Sequence, residues 1–314
     1  MSVPILSNFL TIAEQVGVVF VIALLGYVGG KTGLFGDETS NGMASIAVNY
    51  VTPALVIMAF QREFEMQLIY GFLISLAGCL FGLALGILLS HTLIRKEPQE
   101  RRSVLRGTTI FGNVGMISLP LMQALFGSDG VFYCAAGIAV FNLTFWSYCA
   151  IAMGEKGEWK ATLRRALLNP CLICTLIGLT FFVCSVKIPE IPAKAMNQLV
   201  NLNMPMCMLI IGQRLSKIPM RTLFTEKCIW KTAFLRMILI PAIMIAGLAL
   251  LNIRGVIAIC ILLMVSAPGA ATVNMLAIAY KQDVDLAAKS VSMHTLLSMI
   301  VLPVVIAVAY SFLM

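Results

Sequence analysis

The sequence predicts an all-α polytopic membrane protein, and three observations carry that prediction. The chain is 60% hydrophobic and 11% charged, far below the roughly 25% charged residues of a soluble domain. Its mean hydropathy is +0.96. Its apolar residues fall in continuous runs of about twenty, the length a bilayer-crossing helix needs, rather than in the alternating pattern of a membrane β-barrel. The formal net charge of +8 is therefore read as loop charge beside a membrane, not as a nucleic-acid surface.

Ten apolar segments follow one another with short gaps: Phe9–Gly30, Asn41–Phe60, Leu68–His91, Gly107–Phe126, Val131–Met153, Leu167–Val186, Met196–Gly212, Thr232–Leu251, Val256–Tyr280 and Leu286–Leu313. The first carries no Lys or Arg ahead of it and no small-residue cleavage site behind it, so it is expected to be an uncleaved first helix. No gap is long enough for a soluble domain. The expected unit is a single transmembrane body over 1–314, divided into residues 1–153 and 166–314.

Two of the ten segments are built unlike plain membrane helices. The middle of the fourth reads Phe111-Gly112-Asn113-Val114-Gly115-Met116-Ile117-Ser118-Leu119-Pro120. Pro120 cannot donate an amide to Met116, and the two glycines weaken the preceding turn. The ninth carries Ser266-Ala267-Pro268-Gly269-Ala270-Ala271-Thr272-Val273-Asn274. Non-helical backbone survives at membrane depth only inside protein or beside a wet cavity. Paired breaks in corresponding halves point to a transporter's binding site.

Loop charge sets the orientation. Lys31, Arg95, Lys96, Arg101, Arg102, Arg106, Lys156, Lys160, Arg164, Arg165, Arg214, Lys217, Arg221, Lys227, Lys231, Arg236, Lys281 and Lys289 lie in gaps of one parity. Only Arg62, Lys187, Lys194 and Arg254 lie in the other. The positive-inside rule makes the first set cytoplasmic and places both termini outside. Asn49, Pro53 and Gln61 recur as Asn201, Pro205 and Gln213, and Gly26 recurs as Gly178, at one constant offset. Two halves of five spans each must then have opposite orientations, the inverted repeat of many secondary transporters.

Gly112-Asn113-x-Gly115-x-x-x-Leu119-Pro120-Leu121 followed by Ala124-Leu125-Phe126-Gly127 resembles the fourth-helix signature of the auxin efflux carrier family. Ala267-Pro268-x-Ala270 with Ala277 resembles that family's ninth-helix break. The likeness covers essentially the whole chain. The short central loop makes it similar to bacterial permease-type members associated with malate or malonate rather than to plant PIN-type exporters. Met116 stands where many bacterial members carry a second asparagine, which removes one polar contact. The resemblance implies the fold of bile-acid symporters and sodium/proton antiporters, with broken helices 4 and 9 crossing. It implies scaffold helices at about 9–60 and 167–212 and transport-domain helices at about 68–153 and 232–313. It further implies elevator-type movement of a small organic anion across the cell membrane, and a homodimer.

The expected site is built from Gly112, Asn113, Gly115, Ser118, Pro120, Pro268, Gly269, Thr272 and Asn274. Half-helix N-termini offer free amides and positive dipole ends that favour an anion, and Asn and hydroxyl side chains add donors. Asn113 could instead repair the broken backbone, and Pro53 and Pro205 read as kinks. His294 and Glu14 are candidate proton carriers, with a hydrogen-bonded structural role and interfacial snorkelling as their bland alternatives. No metal or cofactor is expected: there is no Walker loop, zinc pair or nucleophile elbow. The nine cysteines read as small buried thiols. Alternatives to an organic-anion transporter are a cation/proton antiporter or a sodium-coupled anion symporter of the same fold, and, more remotely, an intramembrane enzyme or a receptor.

Overall fold

The computed structural model describes residues 3–149, 152, 167–217 and 224–314. Among these the regular structure is helical, apart from one isolated antiparallel bridge. In chain order the α-helices are α1 (Val3–Thr32), α2 (Asp37–Ile46), α3 (Thr52–Ala59), α4 (Met66–Leu93), α5 (Gln99–Ile110), α6 (Leu119–Thr144) and α7 (Pro170–Val183). They continue as α8 (Glu190–Ser216), α9 (Lys227–Phe234), α10 (Ile240–Leu250), α11 (Gly255–Ser266), α12 (Ala271–Ala279) and α13 (Val284–Leu313). Five helical stretches are long and apolar enough to cross a membrane: Asp37–Ala59, Met66–Leu93, Val114–Thr144, Lys227–Leu250 and Val284–Leu313.

Four wide π turns interrupt these helices, at Ala47–Val51, Val114–Ser118, Phe145–Cys149 and Leu235–Leu239. Three of them end two residues before a proline: Pro53, Pro120 and Pro241. The reason is local. A proline inside a helix lacks an amide and presses its ring on the carbonyl four residues back, and a widened turn relieves both faults without ending the helix. Pro120 thus sits in the first turn of α6 and does not itself mark the break. The chain leaves helical geometry earlier, at Phe111 (φ −105°, ψ 122°).

The fourth and fifth expected spans meet at Gly127, whose φ of 56° is the left-handed region open to glycine. A Cβ on Gly130 would lie 2.5 Å from the Met122 carbonyl oxygen. Eight residues of straight helix would separate the two by about 12 Å, so the chain folds back at this point.

The chain forms two compact units: unit 1 comprises Met1–Ile74, Gly115–Ala139 and Pro170–Ile218, and unit 2 comprises Ser75–Val114, Val140–Asn169 and Pro219–Met314. In unit 1, α1 and α8 approach backbone to backbone. A Cβ on Gly26 would collide with the Leu209 carbonyl, and one on Gly212 with the Ala23 carbonyl. Gly178 on α7 faces the Phe60 ring in the same way, at 2.6 Å. Phe60, Phe72, Phe132 and Phe182 form an edge-on aromatic cluster. Arg62 lies over the Phe132 ring and bonds Asp129 at 2.8 Å.

The two glutamines of the sequence repeat make reciprocal contacts. Gln61, just past α3, accepts from the Ile188 amide at 2.8 Å and donates to the Val186 carbonyl at 3.3 Å, both in the connection before α8. Gln213, near the end of α8, donates to Asp37 at 2.8 Å, at the start of α2. Gly26 and Gly178 show the same exchange, one lying on α8 and the other on the segment that ends α3.

Unit 2 is organised around α11. Ala258 to Ser266 are all buried, which is why this run is apolar on every face. α4 reaches it through small residues: a Cβ on Gly78 would meet Ile261 at 2.6 Å, and one on Gly82 would meet Val265. Phe111, Phe141 and Phe145 stack beside Ala270, Val273 and Leu276, with Phe111 and Phe145 centroids 5.1 Å apart.

Gly212→Ala should destabilise the purified protein by about 1–3 kcal/mol, the usual cost of overpacking. Gly247→Ala, in α10 with no neighbour within 4 Å of its Cβ position, should instead stabilise by about 0.5–1 kcal/mol. Thermal unfolding in mild detergent reads both.

Candidate functional site

Unit 2 contains both helix breaks up to Asn113 and from Ala267 onward, and pairs them through their backbones. Gly112 and Gly269 form the antiparallel bridge. The Asn113 amide donates to the Pro268 carbonyl at 2.7 Å, and the Ala270 amide to the Phe111 carbonyl at 2.9 Å. Each break thus satisfies part of the other's unpaired backbone, which is how non-helical chain survives away from water. Both glycines are required by the closeness of the approach. A Cβ on Gly112 would collide with the Arg236 guanidinium, and one on Gly269 would lie 3.0 Å from His294 Nδ1 and 3.1 Å from Thr108 Cβ.

Arg236 completes the arrangement. It sits in the π turn between α9 and α10 and is 3% exposed. Its Nη1 donates to the Thr109 and Ile110 carbonyls, both at 2.8 Å, and its Nε donates to the Ala267 carbonyl. One guanidinium therefore caps the C-terminal, negative ends of α5 and α11 together. Sequence reasoning missed this residue by grouping it with the loop cations next to it. The signal that could have found it is Pro241 five residues on: with Pro241 widening the turn before it, Arg236 belongs inside a span rather than before one.

His294 is fully buried on α13, and its Nε2 lies 3.1 Å from Thr232 Oγ1. The Thr232 hydroxyl proton is committed to the Ile229 carbonyl at 2.8 Å, so Nε2 is the donor and Nδ1 keeps its lone pair. Among the described residues Nδ1 has no hydrogen-bond partner, and it lies against Gly269. Glu14 is exposed on α1, in unit 1.

The predicted site residues divide accordingly. Gly112, Asn113, Pro268 and Gly269 are brought together by the bridge. Thr272 and Asn274 follow on the first turns of α12, whose N-cap, Ala270, supplies no side-chain hydrogen bond. Thr272 Oγ1 and Asn274 Oδ1 are buried atoms with no partner among the described residues. The Asn113 side chain is half-buried. Gly115, Ser118 and Pro120 belong to unit 1: Ser118 is buried, and Gly115 has open space at its Cβ position. The C-terminal helix ends are thus capped by Arg236, whereas the α12 N-terminus carries uncommitted polar atoms. Among the described residues no cluster of three or more His, Cys, Asp or Glu could hold a metal ion.

Residues 11–306 match the profile of the family described as "Membrane transport protein". An uncharacterized transporter of Methanocaldococcus jannaschii is 24% identical over 299 residues, covering 92% of this chain and 96% of that protein. An uncharacterized transporter of Methanothermobacter thermautotrophicus is 25% identical over 303 residues, covering 94% of this chain and 97% of that protein.

Arg236→Met leaves three carbonyls at the crossing without a charged donor. Each such bond is worth about 1.5–3 kcal/mol, so the loss should total at least about 3 kcal/mol. Arg236→Lys should recover only part of it, since an ammonium lacks the planar fork that spans three acceptors. Unfolding midpoints of the two variants, compared with the parent in one detergent, test this order.

Proposed function

Since the chain belongs to the membrane transport protein family, that of the auxin efflux carriers, we propose that it moves a small organic anion such as malate or malonate. It does so as a secondary transporter, by an elevator cycle. The carrying observation is the polarity of the crossing. Arg236 caps the negative helix ends with a buried positive charge, while at the positive end of α12 the Thr272 hydroxyl, which can donate, has no partner among the described residues. A carboxylate is the group this pattern favours. Asn113, whose backbone amide is already committed to Pro268, contributes its side-chain amide as the directional donor. Arg236 adds a buried cation behind the backbone.

Ten spans in two inverted halves form the proposed frame, supported by the matching contacts that Gln61 makes with Ile188 and Gln213 with Asp37, and that Gly26 makes with Leu209 and Gly178 with Phe60. Helices at about 68–153 and 232–313 would carry the anion against a scaffold at about 9–60 and 167–212, in a homodimer with both termini outside the cell. Removing Arg236 from the cytoplasmic cations leaves the charge asymmetry intact. Coupling to sodium is the second reading, favoured by one observation: Asn274 Oδ1 and Thr272 Oγ1 are oxygens without partners, ligands a hard monovalent cation accepts. Uptake of radiolabelled malonate and malate into proteoliposomes, with a proton gradient, a sodium gradient or neither, separates the readings. No uptake of either acid in any condition would refute the anion assignment.

Asn113→Ala should weaken anion binding by roughly ten- to hundredfold, the loss of one charged hydrogen bond of about 1.5–3 kcal/mol. Asn113→Asp should be worse, because an ionised carboxylate repels the anion at short range. Calorimetry on the purified protein decides; unchanged affinity in Asn113→Asp would move the site elsewhere.

If His294 relays a coupling proton, His294→Gln should abolish gradient-driven accumulation and spare substrate exchange. Equal loss of both would assign the imidazole a structural role beside Thr232.

A further inference from the structure

A cavity lies within unit 2 where the apolar run of α4 ends and α5 begins. Its volume is about 270 Å³, and it is lined by His91, Gln99, Arg102, Ser103, Arg106 and Tyr148, with Ala152. Among the described residues no carboxylate lines it. The nearby acids are engaged by a different arginine: Arg101 pairs with Glu226 at 2.9 Å, Asp283 at 3.3 Å and Glu97 at 3.4 Å. Arg102 and Arg106, one helical turn apart, share a face of α5. Among the described residues neither makes an ion pair, and Arg106 Nε is buried without a hydrogen-bond partner. The one bond from Arg106 to protein runs from Nη2 to the Ile94 carbonyl at 3.1 Å. Burial, and then the neighbouring Arg102 and Arg95 charges, push the Arg106 guanidinium below its ordinary range against the opposing pull of Tyr148. Two like charges thus lie one turn apart, with no ion pair offsetting them among the described residues.

We propose that this cavity binds a phosphate-type oxyanion through the Arg102 and Arg106 guanidiniums, with the Tyr148 hydroxyl, 3.2 Å from His91 Nε2, in its polar wall. Guanidinium forks match phosphate oxygens in pairs, and two forks set a turn apart suit a group that presents three or four oxygens around one centre. The placement at the end of an apolar helix is where the phosphodiester of an anionic phospholipid sits. Free phosphate carries the same chemistry. The site shares a wall with the breaks, since Tyr148 packs on Phe111 at 5.9 Å, but its test does not depend on transport.

The full-length protein, purified and stripped of lipid, is titrated with inorganic phosphate and with malonate by calorimetry. It is also examined by native mass spectrometry after exposure to phosphatidylglycerol or phosphatidylcholine. Phosphate binding, or retention of phosphatidylglycerol over phosphatidylcholine, is expected, and Arg102→Gln and Arg106→Gln should each weaken it by about tenfold or more. Phosphate binding alone identifies a soluble ligand; phosphatidylglycerol retention identifies a headgroup. Arg102→Gln is the deciding variant, because Arg106 also holds the Ile94 carbonyl and its loss could disturb folding; an unchanged melting midpoint for Arg102→Gln verifies the fold. The proposal is overturned if neither phosphate nor phosphatidylglycerol binds, if Arg102→Gln binds as the parent does, or if malonate binds more tightly than phosphate in an Arg102-dependent way.

Discussion

A helix that stops within an apolar layer leaves its last four carbonyls and its first four amides without partners, and no water is at hand to take them. Everything around the crossing in unit 2 answers that constraint. The Asn113 and Ala270 amides go to the opposite break. Three of the carbonyls go to Arg236. Gly112 and Gly269 permit the approach, because any side chain at either place would displace the guanidinium or press on the imidazole. The break is therefore a closed hydrogen-bonded unit made from two chain segments and one arginine. It is not a flexible interruption.

The breaks were legible in the sequence because glycine and proline alter backbone physics wherever they stand. Gly112, Asn113, Pro268 and Gly269 meet as expected for that reason. Pro120 was misjudged in role: it opens α6 behind a widened turn, and the helix ends nine residues earlier. Arg236 was illegible because charge was assigned by distance along the chain from Lys227 and Lys231, whereas its function depends on which carbonyls converge on it in space. His294 could be placed on its helix, but its tautomer follows from its contact with Thr232 on another helix, whose hydroxyl proton is committed to Ile229, and no one-dimensional pattern encodes that contact.

The faint repeat is better understood through what its residues do. Gln61 bonds the connection that precedes α8, and Gln213 bonds Asp37 at the start of α2. Gly26 and Gly178 each admit a helix of the other half. Residues that recur at one spacing thus include ones that make matching contacts.

The same accounting separates the parts of the crossing that are free to act from those that are not. Arg236 commits its Nε and Nη1 donors to three carbonyls, which fixes the guanidinium beside the breaks. The Gly112–Gly269 bridge is likewise committed. Among the described residues, Thr272 Oγ1 and Asn274 Oδ1 on α12 and His294 Nδ1 behind Gly269 are buried without a partner. On the proposed reading the backbone and the arginine fix position and charge, and α12, with the Asn113 side chain, supplies the groups that meet a ligand. Substitutions on α12 should then change which ligand is held with little effect on folding, whereas changes at Gly112, Gly269 or Arg236 act on the fold first.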